Sequence, residues 1–242
     1  MKKIGIAIST YNKVDQVSAN IKLIREYWSI HNDAFISVCC NDPASYKQVE
    51  ALDLDAFSTG DTHRDDLLED WPKNKHYMRL RQFECISKSL LNCEAEYVMH
   101  YHSDACAADV KHILKMIKIL EKNNHFAAYR GRGVFLPKER LCEKIPYGDV
   151  DDHFLLFKRK KMIDRKIFNQ PNALDILKTA CIESFLSKIL KENFKKEELY
   201  HYLDMTENRC INPFHFDEDR QFYHCSTLQT MEKKLSKEIG WK

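Results

Sequence analysis

No run of apolar residues in this sequence approaches the roughly 20 that a membrane-crossing helix needs. The Met1-Lys2-Lys3 start passes straight into a strand-like segment, not the apolar core of a signal peptide. A soluble, cytoplasmic chain is the expectation. Neither sign of charge dominates: 38 Lys and Arg stand against 36 Asp and Glu, a net charge of +2, so no whole-molecule field points to nucleic acid. Cysteine occurs nine times, but there is no C-x-x-C pair and no compact framework, and an odd number leaves one unpaired. Reduced thiols packed in the core are the reading, because Cys85 and Cys181 fall on apolar stripes. There is also no internal repeat and no low-complexity linker. What is present is core material: 44% of the 242 residues are apolar, enough for one sizeable domain.

The first half alternates strand-like and helix-like segments, which favours a sheet with crossover helices. Ile4-Gly5-Ile6-Ala7-Ile8 is a continuous apolar run of the kind buried parallel strands show, and it ends in Ser9-Thr10-Tyr11-Asn12. Val14, Val17, Ile21, Ile24 and Trp28 then recur on one helical face, with Asn12 available as N-cap. Phe35–Cys40 reads as a second strand stopping at Asn41-Asp42-Pro43, and Ala56-Phe57-Ser58 as a short third. Leu80, Phe83, Ile86 and Leu90 mark a helix with Arg79 and Arg81 near its start, and Glu96–Tyr101 reads as a central strand that delivers His102-Ser103-Asp104. A helix carrying Ile113, Met116, Ile117 and Leu120 follows. Beyond residue 125 the expectations are a strand from Phe126 to Phe135 with a turn at Gly131-Arg132-Gly133, a strand from Asp152 to Phe157, one helix over about 173 to 191, a polar aromatic stretch from Asn212 to Ser226, and a last amphipathic helix through Leu228, Met231, Leu235 and Ile239.

In open parallel sheets the carboxyl ends of the strands form the ligand crevice, which makes His102-Ser103-Asp104 the most informative tripeptide. An imidazole and a carboxylate two residues apart there can share a divalent cation, which would neutralise a diphosphate and stabilise it as a leaving group. The alternative for Asp104 is a cap for the helix that follows.

With its first strand ending Ser-Thr-Tyr-Asn and this tripeptide near position 100, the N-terminal half resembles the GT-A glycosyltransferases. Their first strand ends in a similar Thr-Tyr-Asn stretch and their fourth in an Asp-x-Asp motif, whose last Asp Asp104 matches. The resemblance implies an α/β, Rossmann-like GT-A fold with a central, mostly parallel sheet flanked by helices. It implies one domain over 1–242, with a nucleotide-sugar-binding half at 1–124 and an acceptor-binding half at 125–242. It implies a glycosyltransferase that moves a sugar from a UDP- or GDP-sugar to a glycan, a lipid-linked or a small-molecule acceptor. His102 stands where the family usually has Asp, which favours Mn²⁺ over Mg²⁺.

By the same resemblance, Thr10 and Tyr11 line the base and ribose pocket, Asp42 faces the base, Ser103 and Asp104 meet the diphosphate, and His102, Asp104 and a late histidine, His224 in preference to His215, hold the metal. Ordinary turn chemistry is the alternative for Asp42. Arg79 and Arg81 offset the diphosphate charge. An inverting transferase also needs a carboxylate to take the acceptor proton, and two candidates compete: Glu183, acidic amid apolar neighbours, and Asp152 in the Asp149–Asp152 cluster. A sugar nucleotidyltransferase fits less well, since Ser9-Thr10-Tyr11-Asn12-Lys13 lacks the glycines of a phosphate loop. A non-catalytic nucleotide-sugar-binding protein remains the rival from another class. The run Lys158-Arg159-Lys160-Lys161 with Arg165 and Lys166 is either a solvated surface or a patch for a phosphate-bearing acceptor or an anionic membrane.

Overall fold

The computed structural model describes residues 1–30, 33–61, 75–131, 150–178, 180–201, 222–225 and 227–241. Strand β1 (Lys2–Thr10) lies beside β2 (Ala34–Cys40) on one side and β4 (Ala95–His102) on the other, parallel to both, and β3 (Ala56–Thr59) extends the edge in parallel with β2. Ile4, Ile6 and Ile8 of β1 are at most 1% exposed, as a strand covered on both faces requires. Gly5 is required by the crossing below it, where an added Cβ would overlap Cys93 Sγ and Ala95 Cβ.

Past residue 125 the sheet changes character. Strand β7 (Val150–Lys158) runs antiparallel to β4, β6 (Ala127–Gly131) is antiparallel to β7, and β8 (Leu199–His201) pairs parallel with β6. The seven strands follow the order β3-β2-β1-β4-β7-β6-β8, and four of the six pairings are parallel. A separate ribbon pairs β5 (Ala105–Ala107) with β9 (Phe222–His224).

The helices cover both faces. Val17 and Ile21 of α1 (Val14–Lys22), Ile113, Met116, Ile117 and Leu120 of α4 (Lys111–Asn123), and Met231 and Leu235 of α8 (Leu228–Ile239) share one core with Ile4, Ile6, Ile8, Met99 and Tyr101. Phe83, Ile86 and Leu90 of α3 (Lys75–Leu91) and Phe185, Leu186 and Ile189 of α7 (Ile182–Asn193) share the other with Ala7, Val98 and Phe157. Caps account for the ends of α8: Thr227 accepts from the Thr230 amide, and Gly240 closes it in the left-handed region at φ 67°. The short α2 (Tyr46–Glu50) and α5 (Arg159–Asp164) complete the set with α6 (Ala173–Leu177).

Three local expectations are corrected. The first helix starts from Lys13, not from an Asn12 cap, and Lys13 makes no side-chain capping bond. The single helix over about 173 to 191 is two, α6 and α7, because Cys181 is extended (φ −76°, ψ 165°). The apolar stripe stays in phase across that break, so periodicity alone did not reveal it. The strand β5 was not foreseen, and it separates Asp104 from α4, where Asp109 instead accepts from the Lys111 amide. The Arg132–Phe135 end of the expected strand, Asp149, His215, and the Asn212–Ser226 stretch other than 222–225 lie outside the described residues.

Three of the six basic residues at 158–166, Arg159, Lys161 and Arg165, are tied inward. Arg165 makes a two-pronged ion pair with Glu198 and donates to the Asn193 carbonyl, Arg159 donates to the Leu91 carbonyl, Lys160 pairs with Asp164, and Lys161 sits over the Phe126 ring. Arg165 holds the Glu198 carboxyl down to about 2. No helix among the described residues is long and apolar enough to cross a membrane.

Candidate functional site

The parallel pairing of β1 with β4 sets Ser9 beside His102, and a buried hydrogen-bond chain grows from that register. Ser9 Oγ lies 3.0 Å from His100 Nε2 and 2.7 Å from His102 Nδ1, and His102 Nε2 lies 3.0 Å from Asp152 Oδ2. Gln82 of α3 donates to the same carboxylate oxygen, and His153 Nδ1 is 3.1 Å from the other one. Asp152 arrives from β7, whose register with β6 shifts between Tyr129 and Gly131, opposite the Val150–Leu155 stretch that carries Asp152 and His153. Irregularities of this kind re-aim side chains.

The protons follow from the charges. Burial works to raise the Asp152 carboxyl, but the imidazoles of His153 and His102, through charge and hydrogen bonds, hold it well below the usual carboxylate range. Asp152 is therefore an anion and accepts from His102 Nε2–H, His153 Nδ1–H and Gln82. With the His102 ring neutral, its Nδ1 accepts from the Ser9 hydroxyl and Ser9 Oγ accepts from His100 Nε2–H; with that ring protonated, Nδ1–H donates to Ser9 Oγ. Burial also pushes the His100 imidazole well below its ordinary range, with His102 acting in the same direction, so His100 is neutral.

The facing wall is built from the ends of β1 and β2 and the start of α3. The Arg81 guanidinium lies 4.0 Å from the Tyr11 ring centroid, a cation–π contact. Asn41, 1% exposed, donates from Nδ2 to the Arg81 carbonyl at 3.2 Å. Two buried acceptors on this wall, Thr10 Oγ1 and Asn41 Oδ1, have no hydrogen-bond partner among the described residues. Between the walls Lys13 Nζ meets Asp104 Oδ2 at 2.6 Å. Together these residues line a cleft of about 490 Å³ at the carboxyl ends of β1, β2 and β4.

No protein-family model and no curated protein matches the sequence. Solved structures do match the architecture. The galactosyltransferase LgtC, in complex with donor and acceptor sugar analogs, aligns over 98% of this chain and 95% of its own with a TM-score of 0.53 at 11% identity. Mouse xyloside xylosyltransferase 1 in its apo form aligns over 95% of this chain and 99% of its own, with a TM-score of 0.52 at 9% identity. The chain has the GT-A glycosyltransferase fold. The mannosyltransferase PcManGT from Pyrobaculum calidifontis, in complex with GDP-Man and Mn²⁺, matches 84% of this chain and 55% of its own length, with a TM-score of 0.50 at 13% identity.

Within this GT-A frame the expected site residues separate into two groups. Thr10, Tyr11, Arg81, His102, Ser103, Asp104 and Asp152 all line the cleft. Ser103 contributes mainly backbone, its N–H donating to Ser9 and its carbonyl accepting from Asn20. Asp42, Arg79 and Glu183 are not part of the lining. Asp42 caps the turn at Pro43–Ser45, accepting from the Ala44 amide and the Ser45 hydroxyl, the turn chemistry its sequence allowed. Arg79 donates to the Leu177 carbonyl on α6, whereas Arg81, two residues on, lies on another face of α3. Glu183 sits in the first turn of α7. His224 is opposite Ala105 in the β5–β9 ribbon, one residue beyond Asp104, and its side chain lies outside the described residues.

Sequence reading missed Ser9, Lys13, Asn41, Gln82 and His153. Asn41 and His153 each adjoin a residue that was singled out, and the carboxylate drew attention from its neighbour. Lys13 directly follows the Thr-Tyr-Asn stretch that carried the resemblance.

The expected metal set of His102, Asp104 and His224 meets a donor-set problem. Both ring nitrogens of His102 are engaged, by Ser9 and by Asp152, and the Asp104 carboxylate carries the Lys13 ammonium. No group of three or more His, Cys, Asp and Glu among the described residues is arranged to hold an ion. The described residues do not fit a divalent cation bound through His102. Cys39, Cys40, Cys85, Cys93, Cys106 and Cys225 are buried, Cys181 is half-buried, and none of these seven is in a disulfide.

Proposed function

We propose that the cleft binds a nucleoside-diphosphate sugar, with uridine or guanosine as the base, and passes the sugar to an acceptor hydroxyl. The observation that carries this reading is the pair of buried acceptors, Thr10 Oγ1 and Asn41 Oδ1, lacking protein partners in the wall of a strand-end cleft. A buried polar atom without a partner costs about 1–3 kcal/mol, and a ligand N–H or O–H recovers that cost once the side chain turns its oxygen toward the cleft. Uracil and guanine both present a ring N–H suited to Asn41 Oδ1, and a ribose hydroxyl suits Thr10. The cleft's size falls within the range of small-molecule sites. Arg81, already oriented on Tyr11, supplies charge-assisted hydrogen bonds to the diphosphate.

For inverting transfer, Asp152 is a poor proton acceptor, since its anion is committed to three donors. It acts as a positioning residue. His153, whose imidazole lines the cleft with Nδ1 3.1 Å from Asp152, is the group we assign, in its neutral form, to take the acceptor proton. The acceptor can be a glycan, a lipid-linked saccharide or a small molecule, because the reading requires only a hydroxyl.

The test is thermal stabilisation and slow hydrolysis of UDP- and GDP-sugars. Donor at about 100 times its Kd adds about 2.7 kcal/mol of stability. His153→Gln is expected to leave that stabilisation in place while slowing transfer about 100-fold. If no nucleotide sugar stabilises the protein, the proposal fails. One feature favours a second reading, a donor-binding protein without transfer: Asp152 is engaged by three donors and Glu183 is not part of the cleft lining. Stabilisation with neither hydrolysis nor transfer would establish it.

A further inference from the structure

Lys13 pairs with Asp104, one of the three residues expected to hold the cation. It is the residue from which α1 departs, immediately after the end of β1, and its ammonium lies 2.6 Å from Asp104 Oδ2 inside the cleft. Any divalent ion placed on that oxygen must displace the ammonium, and to reach His102 as well it must strip the ring of Ser9 or Asp152. We propose that Lys13 takes the place of a divalent cation at the diphosphate subsite, so that nucleoside diphosphates bind this cleft without metal. The inference rests on the reading of the cleft as a donor site and concerns how that site balances charge.

Among the described residues, the charged side chains lining the cleft are Lys13 and Arg81 on one side of the ledger and Asp104 and Asp152 on the other. Asp152 is only 5% exposed and its charge is spread over three donors. Asp104, 18% exposed at its side chain, is the carboxylate that would repel a diphosphate. In a metal-using site the ion cancels that charge; here the ammonium of Lys13 does so at contact distance.

Two further groups then face an anion. The Arg81 guanidinium is held over Tyr11. The amino end of α1 begins at Lys13 with no side-chain cap, and uncapped amides at a helix start favour negative charge. Thr10 Oγ1, in a residue only 6% exposed and without a partner, lies three residues before this helix end, which marks the same corner as built for a ligand.

The decisive experiment is calorimetric titration of the full chain with UDP and with GDP, in EDTA and again in Mn²⁺, for wild type, Lys13→Met and Lys13→Arg. Far-UV circular dichroism and melting curves confirm that each variant folds. The expected result is that affinity agrees within about twofold between the two buffers, that Lys13→Met weakens binding in EDTA by about tenfold, and that Lys13→Arg restores most of it. Binding that appears only with Mn²⁺, or a Lys13→Met variant that binds as wild type in EDTA, overturns the inference and leaves the donor-site reading standing. Absence of binding in both buffers overturns the donor-site reading and this inference with it.

Discussion

The two walls of the cleft treat their polar groups in opposite ways. On the β4–β7 side, Ser9, His100, His102, Asp152, His153 and Gln82 form one connected chain. Apart from His100 Nδ1, the buried polar atoms of that chain are satisfied by other protein atoms. On the β1–β2 side, Thr10 and Asn41 each hold a buried oxygen that the described residues leave without a partner. A satisfied network rigidifies the place it occupies, and an unsatisfied group carries a cost that something else must offset. The contrast assigns the first wall to structure and orientation and the second to recognition. Substitutions in the first, His153 apart, should act mainly on folding, and in the second mainly on ligand binding.

The largest effect is expected at the centre of the satisfied wall. Asp152→Asn removes the anion that faces two imidazoles and turns an acceptor into a donor against existing donors, so a loss of about 3–5 kcal/mol in denaturant-measured stability is expected. The variant should also change the acid limb. In the unfolded chain the Asp152 carboxyl takes up its proton near pH 4, whereas in the folded state it does so only at lower pH. Its contribution is therefore complete above about pH 4 and lost as pH falls through the lower, folded value. Wild type should lose stability more steeply than Asp152→Asn below about pH 4, and equal slopes would show that the carboxylate is not held as described.

A smaller effect probes the other wall from behind. A Cβ at Gly60 would overlap the Asn41 side chain at Nδ2, Cγ and Oδ1, so Gly60→Ala moves the very oxygen proposed to meet the base. Nucleotide affinity should fall about tenfold, or about 1.4 kcal/mol, with a stability loss of about 1 kcal/mol from the weakened bond to the Arg81 carbonyl. A double-mutant cycle sharpens the point: in an Asn41→Ala background, Gly60→Ala should have almost no further effect on binding. Additive losses would mean that Gly60 acts elsewhere.

How much of this was legible in the sequence differs between the walls for the same physical reason. Strands β1, β2 and β4 announce themselves as apolar runs because they are buried on both faces, and their ends mark the crevice, so Thr10, Tyr11 and Asp104 could be picked from local pattern. The ion pair of Lys13 with Asp104 spans 91 residues and the contact of His102 with Asp152 spans 50. Such pairings depend on strand register and on the irregularity in β7, which leave no periodic trace. Asp152 was singled out as a proton acceptor, but only the two flanking imidazoles reveal why it stays ionised. Arg79 and Arg81 looked equivalent in sequence, although two residues apart on a helix is about 200° of rotation, which sends one guanidinium to α6 and the other to Tyr11.

The smallest effects give the sharpest comparison, because Ser9 and Thr10 are neighbours on β1 and both are buried hydroxyl residues. Ser9→Ala deletes the link between His100 and His102 and leaves two ring nitrogens without a partner, a cost of about 1–2 kcal/mol in the ligand-free protein. Thr10→Val deletes a hydroxyl with no partner to lose, so ligand-free stability should hold or rise by a few tenths of a kcal/mol. Nucleotide affinity should reverse the order, falling about fivefold for Thr10→Val through one lost hydrogen bond and much less for Ser9→Ala. Melting curves with and without UDP or GDP read both quantities at once. If Thr10→Val destabilises the ligand-free protein as much as Ser9→Ala does, the Thr10 hydroxyl has a partner after all. The division between an orienting wall and a recognising wall then no longer holds at β1.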